Sequence, residues 1–124
     1  MDQFQTEFLH ATILDESTVL VEAIDGVEIN QDKSRHAMTL IAEKMRSDFG
    51  MIIHRKADYS ITPVEVYDVL NSFASLKAIA LVVARQRNFL PIETEKALFK
   101  GALEAFQSIS EAKIWISSVL SESS

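Results

Sequence analysis

Lys77-Ala78-Ile79-Ala80-Leu81-Val82-Val83 is the stretch on which the fold turns. From Ala78 to Val83 every residue is apolar. A strand of this kind has no wet face, so it belongs in the middle of a sheet covered on both sides, the situation of parallel sheets flanked by crossover helices. The run is far too short to cross a bilayer, which takes roughly 20 residues.

Working toward the N-terminus, Thr62-Pro63-Val64-Glu65 carries the chemistry of a helix start. Threonine can cap an amide of the first turn, proline loses nothing at the first helical position, and glutamate can complete a capping box. A helix is therefore predicted from Pro63, with Val66, Tyr67, Leu70, Phe73 and Ala74 as its inward stripe. Before it, Met51-Ile52-Ile53-His54-Arg55 reads as another strand, and before that Ala37, Met38, Leu40, Ile41, Met45 and Phe49 recur at helical spacing. Asn30 is placed to cap this helix, and Gly50 to end it in the left-handed conformation. Phe4, Phe8, Ile13 and Leu14 lie on one extended segment, which the turn Asp15-Glu16-Ser17 joins to Thr18–Ala23 as a hairpin. Asp25-Gly26 is a second turn, followed by the short alternation Val27-Glu28-Ile29.

Toward the C-terminus, a short helix is expected over Ile92 to Lys100, stopped by Gly101, and then a short strand from Ala102 to Phe106. Ser108-Ile109-Ser110-Glu111 repeats the capping-box pattern, with Ala112, Trp115, Ile116 and Val119 on one helical face. The sum is an α/β fold: one domain over residues 1–120, with a mixed, mostly parallel sheet, an N-terminal antiparallel hairpin and four helices. Residues 121–124 read as a flexible tail.

Composition narrows the function. The 124 residues carry a formal charge of −6, and residues 1–30 hold seven acids without a lysine or arginine. Nucleic-acid binding would need a basic face, so it is not expected. No run is long enough for a membrane span, no charged signal start is present, and the chain reads as cytoplasmic. The absence of cysteine removes disulfides, thiolate nucleophiles and sulfur-ligated metals. His10, His36 and His54 have no metal-ligand spacing, and Gly26, Gly50 and Gly101 make no phosphate-binding loop, so neither metal nor cofactor is expected. Glu93 with Glu95, or Asp58 with Glu65, are isolated acids with no partner to make them an acid–base pair, and no catalytic residue is assigned.

Two surfaces remain. The first is the loop and helix start around Arg55, Lys56, Tyr59, Ser60, Thr62 and Glu65. A phosphate on Ser60 or Thr62 would meet the free amides of a helix N-terminus, with Arg55 and Lys56 beside it; the plainer reading makes Thr62 a cap worth about 1 kcal/mol. The second follows the central strand, where open α/β sheets place ligands: Arg85 and Arg87 could hold an anionic group and Phe89 cover an apolar one.

Over Leu20 to Leu120 the chain resembles the STAS-like superfamily, named for sulfate transporters and anti-sigma factor antagonists, and within it the small stand-alone bacterial members similar to stage II sporulation protein AA. The resemblance is carried by Ile24-Asp25-Gly26-Val27-Glu28-Ile29-Asn30, the helix to Gly50, the strand and loop from Met51 to Thr62, and the closing segment from Phe106 to Ile116 with its Glu111-Ala112 and Trp115. It implies a functional surface at the loop after the third strand. Phosphorylatable members carry Asp-Ser-Ser-Gly there, whereas this chain has Asp58-Tyr59-Ser60-Ile61-Thr62-Pro63. The expectation is a non-enzymatic regulatory or protein-interaction module, compatible with a homodimer, that meets an unidentified protein partner through residues 59–65. The alternative is a small-molecule or lipid-binding protein taking an apolar or anionic ligand in a pocket near Phe89-Leu90-Pro91.

Overall fold

The computed structural model describes residues 3–55, 60–83 and 91–123. The apolar run lies in β7 (Leu76–Val83), which is hydrogen-bonded on one side to β5 (Phe49–Arg55) and on the other to β8 (Ala102–Phe106), all three parallel. Beyond β5 come β3 (Thr18–Ala23), parallel to it, and then β2 (Leu9–Asp15) and β1 (Gln3–Gln5), each antiparallel to its neighbour. The six-stranded order is β1-β2-β3-β5-β7-β8. A separate pair, β4 (Glu28–Ile29) and β6 (Ser60–Ile61), forms a short parallel ladder.

Helices α1 (Gln31–Lys44), α2 (Pro63–Asn71) and α3 (Ile92–Leu98) lie on one face of the sheet and α4 (Ile109–Ser123) on the other. Alternate residues of the strands feed the two cores, because successive side chains point to opposite faces. Met51, Ile79 and Leu81 pack beneath α1 and α2 with Ile41, Tyr67 and Leu70. Ile52, Ala78 and Ala80 pack beneath α4 with Ala112 and Ile116. The fully apolar pattern of β7 thus has the double covering it requires.

The local signals at turns and caps mostly act as read. Asp15 Oδ1 accepts from the Ser17 amide at 2.9 Å, and Gly26 takes φ +82°, a conformation that a side chain would strain. Asn30 Oδ1 accepts from the Lys33 amide at 3.0 Å. In the capping box of α4, Ser108 Oγ accepts from the Glu111 amide at 3.2 Å and donates to Glu111 Oε1 at 3.0 Å.

Three expectations are corrected and one element is added. The segment from Phe4 to Leu14 is two strands, because Thr6 Oγ1 takes up the amides of Phe8 and Leu9 at 3.3 and 3.1 Å and turns the chain between β1 and β2. Gly50 does not end α1, which stops at Lys44 with Met45 as its C-cap; Phe49 and Gly50 begin β5. Glycine is needed at position 50 for another reason: a Cβ there would lie 2.3 Å from Ile116 Cγ2 of α4. Helix α3 ends at Leu98, before Gly101. Finally, β6 has no counterpart in the sequence reading, since two residues are too few to show a period.

Candidate functional site

The sequence pattern places Ser60 to Glu65 at a corner, and the β4–β6 ladder fixes that corner in space. Glu28 pairs with Ser60 and Ile29 with Ile61; the Ser60 amide donates to the Val27 carbonyl at 3.0 Å, and the Thr62 amide to the Ile29 carbonyl at 3.1 Å. Each strand leads directly into a helix, so the N-termini of α1 and α2 stand side by side.

Thr62 is the N-cap residue of α2 by position but does not cap it with its side chain. Its hydroxyl donates to Glu65 Oε2 at 3.3 Å, so the capping box expected at this helix is not formed. The extended backbone at Thr62 (ψ 95°) still lets its carbonyl accept from the Val66 amide at 2.9 Å, and Pro63 holds the first helical position. Asn30→Ala is therefore expected to cost about 1 kcal/mol, the ordinary value of a working cap, whereas Thr62→Ala costs no more than a few tenths. Urea denaturation of the two variants side by side checks this; equal losses would mean that Thr62 does cap α2.

Ser60, Val64 and Glu65 face solvent, and Thr62 is half-buried. Val64 is 61% exposed, one of two large apolar side chains exposed to this degree among the described residues, the other being Ile114 on α4. Glu28, Asp32 and Glu65 are exposed acids on these two strand–helix junctions. Lys33 brings a cation to the same junction, its Nζ donating to the Glu28 carbonyl at 2.8 Å.

Arg55 is not at this surface. It is 6% exposed and donates to both carboxylate oxygens of Glu95 on α3, Nη1 to Oε2 at 2.7 Å and Nη2 to Oε1. The Tyr67 hydroxyl donates to Glu95 Oε1 at 2.6 Å, and Glu95 itself is 1% exposed. This two-armed ion pair joins β5, α2 and α3 through one buried carboxylate, and it withdraws Arg55 from any phosphate on Ser60 or Thr62. Sequence reasoning set Glu95 aside as an isolated acid. The signal was present in both elements: Arg55 follows Met51 and Ile53 on the inward face of β5, and Glu95 lies on the α3 stripe of Ile92 and Phe99. Lys56, Tyr59, Arg85, Arg87 and Phe89 lie outside the described residues.

Between the sheet and the α1–α2 layer is a cavity of about 80 Å³, walled by apolar side chains of β3, β5, α1 and α2, with Arg55 and Tyr67 in its lining. Among the described residues no group of three histidine or carboxylate side chains is placed to hold a metal ion, and no helix is long and apolar enough to cross a membrane.

This arrangement of sheet and helices is a SpoIIAA-like fold. A solved structure from Shewanella loihica PV-4, an uncharacterized protein of the DUF3478 family with a SpoIIAA-like fold, superposes with a TM-score of 0.59 at 10% sequence identity, covering 87% of this chain and 91% of that one. At that identity the likeness is one of fold. No protein-family model matches the chain, and no curated protein does.

Proposed function

We propose that the chain is a non-enzymatic regulatory module that binds a protein partner through the corner from Ser60 to Glu65. The observation that carries this reading is Val64, 61% exposed in the first turn of a helix that Val66 and Tyr67, both buried, hold in place. An apolar group fixed outward on a rigid frame can serve as a contact anchor, because little ordering cost remains to be met on binding. The Thr62 hydroxyl, engaged with a side chain instead of the helix amides, leaves this helix start less closed than that of α1.

Glu28, Asp32 and Glu65 favour a basic partner surface with an apolar recess for Val64. They disfavour the phosphate switch, since Ser60 sits opposite Glu28 and Arg55 is spent on Glu95. The absence of catalysis belongs to the same proposal: the buried carboxylate Glu95 is held by Arg55 and Tyr67, an arrangement that suits structure better than proton transfer.

Val64→Arg tests the reading. It removes the anchor, opposes a basic partner, and alters no buried contact. Quantitative affinity capture with tagged wild type and variant is expected to show proteins enriched by the wild type falling at least tenfold with Val64→Arg, and falling also at high salt, with thermal stability unchanged. Equal recovery by both proteins would refute the corner as the contact surface.

A further inference from the structure

We propose that the cavity beneath α1 and α2 is a binding site for a small uncharged apolar molecule, and that the Arg55–Glu95 pair excludes anions from it. Val21, Met38, Met51, Val66 and Leu70 supply a wall of hydrocarbon and thioether. Such a wall offers water few hydrogen bonds, which leaves the space open to an apolar occupant.

The hydroxyls and the guanidinium arms in the lining are engaged with protein acceptors. Ser34 Oγ donates to the Gln31 carbonyl at 2.9 Å. Arg55 and Tyr67 both donate to Glu95. A carboxylate entering the cavity would therefore find the guanidinium charge already matched and would bring a second negative charge toward Glu95. Size limits the class further: drug-sized pockets begin at roughly 300 Å³ and a cavity of about 150 Å³ takes benzene or xenon. A volume of about 80 Å³ suits xenon or a hydrocarbon group of a few carbon atoms. This site lies on the inner side of α2, whose outer side carries Val64, and the proposal does not depend on the partner reading.

Two methionines make the site observable. Met38 and Met51 line the cavity, whereas Met45 is buried in the same core without lining it. In the protein labelled at its methionine methyl groups, xenon under pressure and dissolved n-butane are expected to shift Met38 and Met51 along saturable curves and to leave Met45 in place. Butanoate at the same concentration shifts neither. Val21→Ile combined with Val66→Ile adds methyl groups to the wall and weakens saturable binding at least tenfold. Val64→Arg leaves it unchanged, which separates this test from that of the partner surface.

The proposal is overturned by shifts that rise linearly without saturating, by shifts equally large at Met45, by butanoate binding as well as butane, or by a folded filled variant that binds like wild type. If the filled variant does not fold, the methionine pattern and the butane–butanoate comparison in the wild type decide the matter.

Discussion

Glu95→Ala is expected to destabilise the fold by about 3–5 kcal/mol, the cost of breaking a buried ion pair by removing one member. The Arg55 side chain is 4% exposed and its guanidinium donates along both arms to Glu95, so removal of Glu95 takes from a buried cation and from the Tyr67 hydroxyl the carboxylate they share. For a chain of this length the loss corresponds to a fall in melting temperature of about 10–20 °C. It is comparable to the whole stability of a marginal domain, about 5–15 kcal/mol.

The triple variant Arg55→Met/Glu95→Leu/Tyr67→Phe removes these three polar groups together while keeping hydrocarbon volume. It should recover most of the loss, because the desolvation penalty of both charges disappears with their attraction. Guanidinium chloride denaturation of wild type, single and triple variants checks both statements. A single variant as stable as wild type would show that Arg55 and Glu95 do not meet; a triple variant as unstable as the single one would show that the pair is a net source of stability.

The second large effect is expected where α4 meets the sheet. Ile116 is fully buried, and Ile116→Ala should cost about 2–5 kcal/mol through lost burial and the cavity left behind. Gly50→Ala places a methyl group where Ile116 Cγ2 already stands and should cost about 1–3 kcal/mol by overpacking. The two changes are complementary in shape, so their combination is expected to be less damaging than the sum of the single losses by about 1 kcal/mol or more. A double-mutant cycle measured by urea denaturation gives the coupling directly. Strict additivity would mean that α4 does not rest on Gly50.

The helix caps at Asn30 and Ser108 and the turn at Gly26 were legible because each depends on residues within three or four positions of one another. The corner at Ser60–Glu65 was legible as a place, through Thr62-Pro63, but not in its chemistry. Whether the Thr62 hydroxyl meets a helix amide or Glu65 depends on how β6 is held against β4, a contact that no local pattern encodes. Arg55 was placed at the surface with the loop that follows its strand. Its position in the alternation, after Met51 and Ile53, carried the opposite signal.

By itself the sequence determined that β7 must be doubly covered, that the strands around it run parallel between helices, and where most helices begin; apolar periodicity and capping are local properties of the chain. Only the tertiary structure decided that Gly50 makes room for Ile116, that Arg55 pairs with Glu95 forty positions away, and that an apolar cavity remains beneath α1 and α2. These are matters of how closely distant surfaces approach. A one-residue change of strand face or a small shift of a helix alters them while leaving every local preference satisfied.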